Sequence, residues 1–132
     1  QAIIAALQIL RAKRIVMLSP YPEFINLKER DFFVRAGFDV VWQTSLPCSN
    51  VEEMMAIEPE QWLTFAKENQ HAEADAYLLS CTAVRTTEVI EDLENCFNKP
   101  VITSNTAAVW HCLRSLRITD SIDGFGKLMR SF

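Results

Sequence analysis

Four short apolar runs punctuate the chain: residues 14–18 (RIVML), 38–43 (FDVVWQ), 75–80 (DAYLLS) and 100–104 (PVITS). Each is rich in β-branched or large apolar side chains and gives way to turn-forming or polar residues, the pattern of a strand. The stretches between them carry apolar residues at helical spacing. Residues 22–36 open on Pro22, which suits a first helical turn, carry Phe24, Ile25, Phe32, Phe33 and Ala36, and stop at Gly37. Asn50 can cap a short helix over 51–57, and Pro59 starts another over 59–70, with Trp62, Leu63, Phe65 and Ala66 as its apolar residues. Residues 84–97 place Val89, Ile90, Leu93 and Phe97 on one face, and residues 106–116 form a further helix. Residues 2–12 (AIIAALQILRA) also have high helix propensity and end among Arg11, Lys13 and Arg14, cations that suit a helix C-terminus.

Strands that alternate with helices need parallel crossovers. The strand runs are apolar at consecutive positions, as expected when helices cover both faces of a sheet. The pattern therefore predicts a three-layer α/β domain, flavodoxin-like, with a four-stranded parallel sheet in the order 2-1-3-4. Residues 1–116 make one lobe and residues 117–132 a C-terminal tail. Two segments look under-covered. The first helix is apolar on nearly every side, which calls for burial all round. The tail carries Ile118, Ile122, Phe125, Leu128, Met129 and Phe132 with no evident place to put them. Both point to a partner surface supplied by another domain or chain. The chain also opens with Gln1 directly in helical sequence, as expected of a fragment or a processed product.

Composition narrows the function. With 49% apolar and 23% charged residues, the chain is neither disordered nor low-complexity. The net charge of −4, with no basic block, argues against a nucleic-acid partner. The longest apolar run, residues 2–10, is broken by Gln8 and is too short to span a bilayer, so no membrane role is expected. The four cysteines at 48, 81, 96 and 112 form no C-x-x-C pair, which disfavours a metal site or a thioredoxin-type motif. Without an export signal, reduced thiols in the cytoplasm are expected. No glycine-rich phosphate loop follows the first strand, so nucleotide binding is disfavoured and no cofactor is implied.

In an open parallel sheet, ligands bind beyond the carboxyl ends of the strands, where the strand order reverses. In the order 2-1-3-4 that point lies between strands one and three. It would bring Ser19-Pro20-Tyr21 beside Ser80-Cys81-Thr82, with Asn50 at the end of strand two and Ser104 and Asn105 at the end of strand four. Cys81 is the most informative of these. It follows an apolar run and precedes the helix expected over 84–97, so N-terminal N–H groups would face its sulfur and could stabilise a thiolate or bind a carboxylate. Thr82 can cap that helix, and Arg85 adds positive charge one turn in. The plain alternative is a small buried cysteine. Tyr21, between two prolines, sits in a rigid turn that suits a positioned hydroxyl. Cys96 and Cys112 fall close to apolar helix faces and read as packing residues, while Cys48, in a loop that could approach the site, reads as a surface or packing residue. His71 reads as solvated and His111 as structural, so a Cys-His dyad is poorly supported.

The turn Ser19-Pro20-Tyr21, the segment Ser80-Cys81-Thr82-Ala83-Val84-Arg85-Thr86 and the stretch Lys99-Pro100-Val101-Ile102-Thr103-Ser104-Asn105, followed by Ala108 and Trp110, resemble the aspartate/glutamate racemase superfamily. The branch they most resemble is maleate cis-trans isomerase, with arylmalonate decarboxylase as a cousin. The likeness covers nearly the whole chain but only the second half of the family's. It implies two α/β lobes, each giving one cysteine to the cleft between them. The first-lobe cysteine adds to the alkene and the second-lobe cysteine, matched by Cys81, donates the proton. Tyr21 and Asn50 match substrate carboxylate ligands, and Thr82 and Ala83 match positions whose backbone contacts the substrate. Ala83 stands where the isomerases carry Asn.

Three functions follow as expectations. The first is the second lobe of a cofactor-independent, cysteine-dependent isomerase of small dicarboxylates, inactive as this chain alone and completed by a missing first lobe or another chain, with the tail packing toward that lobe. The second is a silent half-lobe that binds a small anion or pairs with another chain. The third is an arylmalonate decarboxylase or amino-acid racemase-like enzyme. A homo-oligomer is expected in each case.

Overall fold

The computed structural model describes all residues, 1–132. Four strands, β1 (Arg14–Ser19), β2 (Asp39–Ser45), β3 (Ala76–Leu79) and β4 (Val101–Thr103), form one parallel sheet in the order β2-β1-β3-β4. The architecture is the expected one, and β1 lies at its centre. Ile15 pairs with Ala76 and Leu18 with Leu79 on one side, and Ser19 with Ser45 on the other.

The helices are α1 (Ala2–Ile9), α2 (Glu23–Arg35), α3 (Val51–Ala56), α4 (Pro59–Glu68), α5 (Ile90–Phe97), α6 (Ser104–Ser115) and α7 (Gly126–Ser131). Alternate strand residues feed opposite cores, because successive side chains leave a strand on opposite faces. Ile15, Met17, Ala76, Leu78 and Ile102 pack with Leu7, Phe33 and Ala107. Val16, Leu18, Tyr77, Leu79 and Val101 pack with Trp62, Ala66 and Leu93. The continuous apolar runs thus report a sheet covered on both faces.

The two under-covered segments are partly covered within this lobe. In α1, Ala6 and Leu7 are fully buried against α6 and β4, and Ile9 is the large apolar residue left exposed. In the tail, Leu128 and Met129 enter this lobe's own core through α7, an element the sequence did not announce. Gly126 makes that docking possible. Its φ is +81°, and a Cβ there would lie 2.5 Å from Ile90 Cγ2. Ile118, Phe125 and Phe132 stay exposed.

Helix α2 buries only some of its apolar residues. Phe24, Ile25 and Phe32 are exposed, whereas Asn26 and Phe33 are buried. The helix expected from residue 84 begins as a single 3-10 turn at Thr87–Val89 and becomes α-helical only at Ile90. Residues 82–86 are irregular.

Candidate functional site

The carboxyl ends of the strands gather residues distant in sequence. Ser80 N–H bonds the Leu18 carbonyl at 2.8 Å, which extends the β1–β3 ladder to the edge of Cys81. Leu46 and Cys48 donate backbone N–H groups to the Ser19 and Pro20 carbonyls, each at 2.9 Å, and zip the loop after β2 onto the Tyr21 turn.

Cys81 is 6% exposed and has φ +117°, a left-handed conformation that favours glycine. A non-glycine residue held there stores roughly 1–3 kcal/mol of strain, and such strain clusters at functional sites. Its N–H donates to Ser104 Oγ at 3.0 Å. Its Sγ accepts from the Ala83 N–H at 3.4 Å and lies 4.0 Å from Met54 Sδ. The sulfur therefore does meet a backbone N–H, but from an irregular loop rather than a helix start. This corrects the expected helix N-terminus at Cys81, because the helix begins only at 87–90. Thr82 is accordingly not a cap: it is exposed, and its carbonyl accepts from Asn105 Nδ2 at 3.2 Å. Arg85 turns outward to Glu58 and Glu88, at 2.9 and 3.0 Å.

Tyr21 packs against the same cluster as Cys81. Burial first, then contact with the Cys81 thiol, push its phenol far above the ordinary range. The hydroxyl therefore keeps its proton and can donate to an anion. Asn50 caps α3: its Oδ1 accepts from the Glu53 N–H at 2.8 Å, and its amide donates to the Glu53 carboxylate at 3.2 Å. One turn on, Met54 of the same helix covers the Cys81 sulfur. The structure thus brings Cys81, Tyr21 and Ala83 together, sets Thr82 at their rim, and leaves Asn50 on the overlying helix with its side chain engaged.

Three residues that the sequence reading did not single out complete the edge. Ser19 Oγ donates to Asn26 Oδ1 at 3.0 Å and accepts the Tyr21 N–H at 3.2 Å. Glu29 accepts from the Ser80 hydroxyl, and burial pushes its carboxyl upward. Asn26 Nδ2 and Glu29 Oε2 are buried without partners. Phasing the helix on Phe33 would have found both, since 26, 29 and 33 share one face. Met54 is the third.

Of the remaining candidates, Cys48 lies nearest the site. Cys48 is buried, with its thiol pushed up by burial and then by Glu53 and Cys81. Cys96 and Cys112 are exposed, which corrects their reading as packing residues: each falls just off its helix's buried stripe. The His71 ring stacks on Trp42 at 5.0 Å rather than standing free in solvent. No three His, Cys, Asp or Glu side chains gather as a metal site would require, and no helix is long and apolar enough to cross a membrane.

Comparison with known proteins places this arrangement. A family model described as arylmalonate decarboxylase matches residues 1–129. Maleate isomerase of Nocardia farcinica is 28% identical over 130 residues, 98% of this chain and 52% of that protein. A structure of the Nocardia farcinica maleate cis-trans isomerase, a serine-for-cysteine mutant with a covalently bound succinylcysteine intermediate, superposes with a TM-score of 0.95 at 26% identity, over 99% of this chain and 54% of that one. A crystal structure of arylmalonate decarboxylase shares the fold, with a TM-score of 0.85 at 23% identity, over 97% of this chain and 57% of that one. The chain spans about half the length of the relatives it matches. It belongs to the arylmalonate decarboxylase family, which its likeness to the maleate isomerases places within an isomerase or decarboxylase group.

Proposed function

We propose that this chain is one lobe of a cofactor-independent isomerase that converts maleate to fumarate, with Cys81 as the proton donor. The observation that carries the reading is Cys81 itself, a strained residue at the strand-order reversal whose sulfur meets a backbone N–H and a protonated phenol. A covalent succinylcysteine, the species named in the Nocardia farcinica structure, needs a C–S bond on one alkene carbon and a proton on the other.

In this chain the Cys81 S–H would give that proton, leaving a thiolate on which the Ala83 N–H already points. With the double bond now single, the adduct rotates. The thiolate takes the proton back, the C–S bond breaks, the double bond re-forms and fumarate leaves. The attacking sulfur would come from the part of the relatives that this chain does not span. Tyr21 would hold a carboxylate by donating its hydroxyl proton, Thr82 and Ala83 would offer backbone groups, and Asn50 would join once released from its cap. The positive ends of α2 and α6, both opening at this edge, would offset the chain's net negative charge.

The test is turnover of maleate by the complete protein. Cys81→Ala should abolish it with the fold intact. Tyr21→Phe should raise KM by roughly tenfold or more, the cost of a hydrogen bond to a charged group. Full turnover by Cys81→Ala contradicts the proposal.

A further inference from the structure

The mechanism above leaves one half-buried acid unused. Glu29 sits on α2, 51 residues from Ser80 in sequence, and its Oε1 accepts the Ser80 hydroxyl. Ser80 is 3% exposed and immediately precedes Cys81. Glu29 Oε2 is buried with no partner at all. Tyr21 packs against the same cluster as Cys81, and its phenol feels the field of Glu29. Leaving Glu29 Oε2 without a donor costs about 1–3 kcal/mol. What the carboxyl does achieve is a fixed Ser80, tied to the neighbouring strand β1 through the Leu18 carbonyl and to α2 through Glu29.

We propose that Glu29 is a positioning residue of the Cys81 site: through the Ser80 hydroxyl it holds the backbone at residue 81 in its left-handed conformation and so keeps the sulfur against the Ala83 N–H and the Tyr21 phenol. The proposal rests on the reading of Cys81 as the reacting thiol but acts one residue behind it. A φ of +117° is unfavourable for cysteine, and a chain freed at Ser80 relaxes away from it. The sulfur then leaves the N–H that stabilises its thiolate. The titratable groups facing the thiol are Tyr21 after β1 and Cys48 in the loop after β2. Glu29 from α2 faces Tyr21, and Glu53 from α3 faces Cys48.

The test uses the complete protein and two readouts. The first is the rate at which iodoacetamide alkylates Cys81 at fixed pH, with the other cysteines separated by peptide mapping. The second is kcat and KM for maleate. Glu29→Ala should slow Cys81 alkylation about threefold or more and lower kcat about tenfold with KM little changed, as expected of lost alignment. Glu29→Gln keeps an acceptor oxygen and should restore both. Ser80→Ala cuts the same link from the other side and should behave like Glu29→Ala, which keeps the test intact if Glu29→Ala does not fold. A Cys81 alkylation rate at or above that of the unmodified protein in the folded Glu29→Ala or Ser80→Ala variant overturns the proposal, and so does Glu29→Gln failing to restore it. Failure of the isomerase reading looks different. It would show as turnover surviving Cys81→Ala, and the alkylation result would stand apart from it.

Discussion

Cys81 shows how little a residue's identity says without its backbone. Its place after an apolar run made it legible as a candidate, and the fold does bring it to Tyr21, 60 positions away in sequence. The local chemistry was not legible. Six residues of irregular chain separate Ser80 from the first regular turn at Thr87, and nothing in the string CTAVRT signals that the N–H of its third residue, Ala83, will turn back on the sulfur. The strain at residue 81 is measurable by itself. Cys81→Gly and Cys81→Ala both delete the thiol, but only glycine accepts φ +117° without cost. Cys81→Gly should therefore be the more stable variant in chemical denaturation, by about 1 kcal/mol. Equal stability, or a more stable alanine variant, would show that the backbone relaxes freely once the sulfur is gone.

At the scale of elements, the apolar runs were sufficient for the strands, because a strand buried on both faces has no phase to mistake. Helix α2 was harder. Its apolar residues are spread around the axis, so counting them could not decide which side faces the sheet. The buried stripe runs through Asn26 and Phe33, while Phe24 and Phe32 face outward. Helix α7 was invisible for a related reason: it is six residues long and opens on a glycine. Between elements, Asp75 clamps the amino ends of β3 and β1. Its carboxylate accepts from the Lys13 N–H at 3.0 Å, the Arg14 N–H at 2.8 Å and the Arg14 guanidinium at 2.9 Å. The Arg14 hydrogen bond, ahead of the other contributions, holds its pKa down to about 2. A carboxyl depressed on folding stabilises above its ordinary range and loses that contribution as pH falls through the folded value. Asp75→Asn should cost about 1 kcal/mol at neutral pH, given how exposed the pair is. The gap from the unmodified protein, followed by thermal melting, should close as pH falls from the ordinary carboxylate range toward 2. A gap constant across that range would remove the carboxylate from the account.

For the whole molecule, the fold and the family were both legible because they rest on long-range order: the alternation of elements, and motifs spread from Ser19 to Trp110. Under the proposed reading, catalysis is divided between this chain and a part of the protein outside it. The relatives are about twice this length, and this chain presents one covered thiol, one phenol and two helix N-termini at a single edge. If Cys81 moves the proton while a sulfur outside residues 1–132 attacks the alkene, removing only the proton donor should strand the adduct. The decisive measurement is therefore mass spectrometry of the complete protein bearing Cys81→Ser after incubation with maleate. The account predicts a mass gain of one maleic acid, mapped to a cysteine outside this chain, with water supplying the carbon-bound proton that the missing thiol no longer gives, and with fumarate production lost. Undiminished fumarate production without an adduct, or an adduct on Cys48, Cys96 or Cys112, would contradict it.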